Sequence, residues 1–465
     1  MSNTYKTKLW HSSFLFSFAL LLSIGVCAQE HPENSTDSVT LTLAQVLDMV
    51  NEINWDVQTA RQQVDLAKSQ LKSAVSNVYP QLGINGNYTR ELAIPNVTLA
   101  PNTPLNPTPD PVTEKAYNEQ IFTGMANLQQ VVFDNRVFSG IKYEKIGLVN
   151  AKANFEQVRA QAKLQASRLF FQILLDKRLV DVYQANVSYS EENYKDIKEG
   201  YENGTASQYD LLRAEVQLAN SKPALIEAKN NLVLAQNSLR VLLAKDPQAK
   251  IGFTGSIYDD EPNRVDVSLA RNLMLSSVTY QEALWNAKQA EQNVKVSLGD
   301  LWPSLNIDGA YIHKFDKLDQ ESGNVAAGAR YNFYIGLRLS YSLFSGFGRR
   351  ESIRQSKLAL DIANIRVLQQ EQNLNEQITQ AQLNVNQAVD QIEAQRTSLT
   401  AANKAVEISF TRYREGAGTL LEILDTQAAY VTAESNYAKA YYQYLLSEAR
   451  LQFLTTGFSD AYLSE

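Results

Sequence analysis

The sequence predicts an α+β membrane protein in which short membrane-crossing strands are continued by very long coiled-coil helices, the whole repeated twice in tandem. Three observations carry that prediction. The chain is written twice: Tyr201-Glu-Asn-Gly204-Thr-Ala-Ser207-Gln-Tyr-Asp210-Leu-Leu212 returns as Tyr413-Arg-Glu-Gly416-Ala-Gly-Thr419-Leu-Leu-Glu422-Ile-Leu424. Pro80-Gln-Leu82-Gly-Ile84-Asn-Gly86-Asn-Tyr88 returns at nearly the same offset as Pro303-Ser-Leu305-Asn-Ile307-Asp-Gly309-Ala-Tyr311. Short segments alternate strictly between apolar and polar, as half-greasy strands do, and two long stretches repeat apolar residues every seven positions.

At the N-terminus, Lys6 and Lys8 precede an apolar run from Phe14 to Val26, and Val26-Cys27-Ala28 is followed by polar Gln29-Glu30. This is the three-part pattern of an export signal with a small-residue cleavage site, so residues 1–28 are expected to be removed. The competing reading, an uncleaved anchor helix, needs a longer apolar run. A lipid-modified Cys27 is the other alternative, although Val26 before it is bulkier than such sites prefer. Cys27 is the only cysteine, so the mature chain would hold no disulfide. His31 and His313 are too few and too far apart for a metal site or a histidine-based catalytic set, and no cofactor is expected. A formal charge of −7 with no basic tract argues against nucleic acid as a partner. No run after the leader is long and apolar enough to cross a bilayer as a helix, which leaves strands as the way in.

After the leader, the first repeat (29–260) opens with a helix from Leu43 to Ser76. Pro80 then forces extended backbone on its predecessor, a device for switching from helix to strand, and Pro303 does the same in the second repeat (261–458) after a helix from Ser268 to Leu298. Strands are expected near 81–91, 120–133, 304–313 and 331–344. In the last, Tyr331, Phe333, Ile335, Leu337, Leu339, Tyr341 and Leu343 share one face, and Asn332, Tyr334, Gly336, Arg338, Ser340 and Ser342 the other. The segment from Phe122 to Phe133 alternates poorly. Tyr79, Trp302 and Tyr331 stand at strand ends, where an interfacial girdle needs aromatics. Between the first two strands, Glu91 to Tyr117 holds half of the 12 prolines and reads as an exposed external loop, neither helix nor strand, tolerant of a tag near Asn106. Its counterpart, Lys314 to Arg330, is polar and carries glycine.

Each strand pair feeds a very long helix. Ala166, Ile173, Val180, Val187, Tyr194 and Tyr201 fall seven apart, as do Ile378, Val385, Ile392, Leu399, Val406 and Tyr413, with Ala381, Ala388 and Ala402 between them. A seam that narrow belongs to a coiled coil, and some 65 residues at about 1.5 Å each make a rod of about 100 Å. Each rod ends at Tyr-x-x-Gly. Gly204 and Gly416 permit the left-handed residue that closes a helix. Ser207 with Asp210, and Thr419 with Glu422, then have capping-box spacing and start helices that return to about Leu243 and Leu454, the first expected to bend at Pro223. A tail, 459–465, follows.

Four strands cannot close a barrel, and open edges cannot stand in lipid, so the chain is expected to form a homotrimer with about twelve strands. In this order and doubled, these features resemble the TolC family of outer-membrane efflux channels, over Val39 to Gly457. The resemblance rests on the Pro-x-Leu starts of strands, Phe133-Asp134 and Phe344-Ser345-Gly346 at their ends, the Leu41-Thr-Leu43-Ala-Gln-Val-Leu47 opening and the two tips. It implies a trimeric outer-membrane β-barrel set in outer-membrane lipid and continued by a periplasmic helical tunnel. It also implies docking of a periplasmic adaptor (membrane fusion) protein coupled to an inner-membrane pump, with no enzymatic chemistry. Carried over, Asp210, Tyr413, Glu422 and Asp425 would form the periplasmic aperture, while Tyr201, Gly204, Ser207, Gly416, Gly418 and Thr419 would shape the hairpin tips that dock the adaptor. The chain departs from the family pattern at Gly418, where a basic residue is common. The acids have a plainer reading as helix caps and solvated helix faces. A periplasmic coiled-coil adaptor or stalk without a pore would share the leader and the hairpins, but it has no use for the alternating strands.

Overall fold

The computed structural model describes residues 39–104, 106–115, 120–247, 249–266, 275, 277–316 and 330–458. The expected leader with Cys27, the tail 459–465 and most of the loop from Lys314 to Arg330 lie outside the described residues.

Four antiparallel strands form one sheet in the order β2-β5-β7-β8: β2 (Gln81–Arg90), β5 (Gln120–Phe133), β7 (Ser304–Asp316) and β8 (Arg330–Ser340). Register aligns the apolar phases across it, with Leu82 opposite Leu128, Phe133 opposite Leu305, and Leu305 opposite Leu339. The outward row of β8 is at least 65% exposed from Tyr331 to Leu339, a greasy surface with nothing on it. The other face is polar: Asn85 Nδ2 donates to Asn127 Oδ1 at 3.0 Å, and Arg338 meets Asp308 at 3.0 Å.

The poorly alternating segment is the central strand β5. A bulge between Val131 and Phe133 inserts one residue and flips the outward phase from even to odd numbers. That flip, with Gly124 and Ala126 on the greasy face, hid the pattern from a period-two reading. The fourth strand ends at Ser340 rather than near 344, because its partner β7 begins opposite it at Ser304, after Pro303, which has no amide to extend the ladder.

The proline-rich loop needs correction. It contains a hairpin, β3 (Asn96–Leu99) paired with β4 (Val112–Lys115). The prolines bracket these strands and leave their amides free to pair. Asn106 is the wrong place for a tag: it is buried, and its amide donates to Leu99 O (3.2 Å) and Asp110 O (2.8 Å) while accepting from Thr108 Oγ1 (2.6 Å).

The helix expected from Leu43 to Ser76 is two helices, α1 (Leu43–Ile53) and α2 (Trp55–Ser76). Asn54 breaks them by capping α2, accepting from Asp56 N (3.0 Å) and Val57 N (3.1 Å), while its Nδ2 donates to Leu242 O at 2.9 Å. The long helices are α3 (Asn135–Glu202), which returns as α4 (Gln208–Leu242), and α6 (Gly348–Arg414), which returns as α7 (Leu420–Thr455). Helix α5 (Val278–Leu298) and a 3-10 turn (Gly299–Leu301) precede β7. On both seams burial fades toward the tips: Ile173, Val187, Ile378 and Val385 are buried, whereas Tyr201 is exposed and Tyr413 only partly covered.

The halves meet in one core at mid-helix, where Phe170, Ile173, Leu239, Leu374, Ile378 and Tyr444 pack together. A parallel pair that the sequence did not reveal, β1 (Val39–Leu41) with β6 (Ile251–Phe253), lies against it, and the segment after β6 straps the second hairpin. Asn263 N donates to Tyr444 Oη (3.1 Å), Val265 N to Asn386 Oδ1 (2.9 Å), and Gln382 Nε2 to Asp266 O (3.1 Å). Beneath the strap, Arg178 of α3 pairs with buried Glu434 of α7, and the Arg178 guanidinium lies over Tyr258, which stacks on Tyr437 at 5.3 Å.

Removing Arg178 leaves a buried carboxylate unpaired. Arg178→Met is expected to destabilise the chain by about 3 kcal/mol, and Arg178→Met with Glu434→Leu to recover most of that, both read by chemical denaturation.

Candidate functional site

The two hairpin tips gather every residue the sequence singled out except Pro80 and Pro303, which stand at the starts of β2 and β7. Both long helices close with the same backbone device. Gly204 (φ +76°) and Gly416 (φ +72°) are left-handed, Thr205 N donates to Gly200 O (2.7 Å), and Ala417 N to Arg412 O (2.8 Å). Gly204 N returns to Tyr201 O and Gly416 N to Tyr413 O, each at 3.0 Å. These are paired Schellman closures, and only glycine takes the left-handed position without strain.

The returning helices start on hydroxyl caps. Ser207 Oγ accepts from Asp210 N at 3.1 Å, and Thr419 Oγ1 from Glu422 N at 3.3 Å. The second half of each expected capping box is absent. The Asp210 carboxylate accepts from the Ser207 hydroxyl (2.6 Å), and Glu422 faces Arg412 Nε at 3.6 Å. Both acids are held by partners other than a backbone amide, while Asp425 is exposed beyond the cap.

The tips also hold each other. Leu420 of the second is buried against Ile197 and Ala214 of the first, with Tyr194, Leu211 and Leu424 around them. Tyr413 lies beside the first hairpin: burial, then the negative charges of Asp210 and Asp196, push its hydroxyl above the ordinary tyrosine value. Tyr189 is raised for the same first reason, with Glu192 and Tyr413 adding to it. The structure therefore brings Tyr413 and Asp210 from different hairpins into one electrostatic neighbourhood.

Sequence reasoning missed Arg412. Besides facing Glu422, its guanidinium donates to Ala417 O at 3.1 Å. Gly418 makes room for it, since a β-carbon there would come within 3.0 Å of Tyr413 N and 3.1 Å of the Arg412 β-carbon. The first tip solves the same crowding with Gly200 and Ala206, a small pair where the second has Arg412 and Gly418. That swap between otherwise matching repeats was the available signal. Among the described residues no three His, Cys, Asp or Glu side chains converge on a metal position, and no helix is apolar enough to cross a membrane.

The outer membrane efflux protein family matches residues 46–245 and 269–457. The chain belongs to that family. The outer membrane protein TolC of Vibrio cholerae is 18% identical over 412 residues, spanning 88% of this chain and 89% of its own. The toluene efflux pump outer membrane protein TtgC of Pseudomonas putida is 20% identical over 401 residues, covering 86% of this chain and 79% of its own. Among solved structures, the Campylobacter jejuni CmeC outer membrane channel superposes with a TM-score of 0.74 at 18% identity, covering 89% of this chain and 85% of that one. The open state of the Neisseria gonorrhoeae MtrE outer membrane channel gives 0.71 at 16% identity, over 89% and 88%. This family member is an outer-membrane exit channel of a Gram-negative cell that extends into the periplasm. A poreless periplasmic adaptor or stalk falls with that finding.

Truncating the contact between tips should free them. Leu420→Ala is expected to cost about 3 kcal/mol at that contact, read as faster amide exchange around Tyr413 to Leu424, whereas Leu421→Ala, at a half-exposed position, should change it little.

Proposed function

We propose that three copies of this chain close a twelve-stranded barrel in the outer membrane and continue it as a periplasmic tunnel, the exit duct for an inner-membrane pump joined through a periplasmic adaptor. The observation that carries the reading is the open sheet. Strands β2 and β8 each pair on one side only, and their free edges cannot face hydrocarbon unpaired. Two exposed apolar stripes support it, Tyr209, Leu212, Val216 and Ile226 on α4 and Leu358, Ile362, Ile365 and Leu368 on α6, faces that a neighbouring copy would cover. The two hairpins with their matching closures support reading the halves as tandem repeats. Cysteines placed at Asn85 on β2 and Gly336 on β8 should crosslink copies into trimers in the outer-membrane fraction. A monomer in the soluble periplasmic fraction would end the reading.

In that assembly the tips form the narrow end, Glu422 and Asp425 each recurring three times around the axis, with Asp210 and Tyr413 holding the hairpins together. Tyr201, Gly204, Ser207, Gly416, Gly418 and Thr419 shape the surface offered to the adaptor, and Pro80 and Pro303 turn tunnel into barrel. Converging carboxylates make a deep negative potential that favours cations and holds multivalent ones. Channels in a planar bilayer should be cation-selective and blocked from the periplasmic side by trivalent cations. Glu422→Ala with Asp425→Ala should remove the block with trimers intact. Because Arg412 offsets Glu422, Asp425→Ala alone should weaken it more than Glu422→Ala alone. Undiminished block in the double variant would leave these acids as helix caps.

A further inference from the structure

Just beyond the last strand, the chain builds a surface that nothing among the described residues covers. A groove of about 340 Å³ lies between the turn after β8, the first residues of α6 and the 3-10 turn before β7, lined by Leu301, Leu343, Phe344, Phe347, Arg349 and Arg350. Leu343, Phe344 and Phe347 are left 67–87% exposed. Phe347 adopts φ +65°, a costly conformation for a bulky residue, yet it is not buried in exchange. Its ring meets Phe344 edge-on at 5.5 Å and stays on the surface.

The two arginines are as unexplained as the rings. A cation in the first turn of a helix opposes the helix dipole. Arg349 Nη2 donates to Ser342 O at 2.9 Å, which ties it to the turn but leaves its charge uncompensated. Arg350 is exposed and has no partner among the described residues. The nearest carboxylate in sequence, Glu351, faces Arg354 instead, at 3.9 Å.

Position supplies the meaning. The outward row of β8 runs straight into Tyr341 and Leu343, and the helices begin directly after it, so the groove sits where greasy barrel gives way to periplasmic helix. Tyr79, Trp302 and Tyr341, exposed at the helix-side ends of their strands, mark the same level, where aromatic rings meet lipid headgroups. We propose that this groove binds an anionic phospholipid of the periplasmic leaflet, its phosphate on Arg349 and Arg350 and its acyl chains along Leu343, Phe344 and Leu301.

A second copy of the chain fits worse. If β8 closes against β2 of a neighbour, as proposed above, the neighbour brings the end of α2 and strand β2 toward this rim. From Leu66 to Thr89 that stretch has no Asp or Glu, only Lys68 and Lys72 as charges. Protein would set cations beside cations there, whereas a lipid phosphate complements them.

Purified wild-type channel in nanodiscs of equal palmitoyl-oleoyl-phosphatidylglycerol and phosphatidylcholine is expected to retain the anionic lipid preferentially, counted by native mass spectrometry. Arg350→Gln should lower that preference about fivefold, Arg350→Lys should keep it, and Arg354→Gln, outside the groove, should leave it unchanged. Equal retention of both lipids by the wild type, or an unchanged preference in Arg350→Gln, would overturn the proposal. So would dissociation of assembled copies by Arg350→Gln, which would make the groove a subunit contact. A monomeric wild type would end the closure reading separately, and the lipid count would still decide the groove.

Discussion

A bilayer offers the backbone no hydrogen-bond partners, and everything in this molecule follows from that constraint. Four strands satisfy one another at three junctions and leave two edges open, which is what the proposed closure with further copies would satisfy. In that proposal the edges and the uncovered stripes on α4 and α6 are covered by a neighbouring copy, and the bare outward row of β8 by lipid. Helices carry the structure onward because a helix satisfies its own backbone and can leave the sheet alone, provided something makes the switch. Pro80 stands at that junction before β2 and Pro303 before β7.

Away from the membrane the demand is different: two hairpins about 100 Å long must stay in register while surrounded by water. One mid-length core does that holding, and the strap after β6 laces the first half onto the second through Tyr444, Asn386 and Gln382. The pair of Arg178 with buried Glu434 joins α3 of the first half to α7 of the second at the same level.

Much of this was legible in the sequence, and what escaped did so for local physical reasons. Period-two alternation exposed β8 because nothing interrupts it, and failed for β5 because a bulge reverses its phase. Proline density concealed β3 and β4, whose own residues are proline-free. The break at Asn54 depends on a side chain capping one helix while bonding the end of another far along the chain, which no local pattern reports. The tip motifs were readable as glycine closures and hydroxyl caps, but the destinations of the acids were not. Asp210 turns to Ser207, and Glu422 to Arg412, a partner visible only once Gly418 is seen to clear space for it.

The fading burial along the seams has a mechanical consequence. The hairpins are clamped near Ile173 and Ile378 and again at their tips, where Leu420 is buried against Ile197 and Ala214, so the two tips are tied to each other and swing together. From Ile173 to Tyr201 the helix extends roughly 40 Å. Such an arm is a lever with its fulcrum in the core, so tilting it by about 5° swings its end through about 4 Å, a full atomic diameter or more. Side chains at the fulcrum need shift by only a fraction of that. A displacement small enough for a packed interior to tolerate is thus magnified several-fold at the tips.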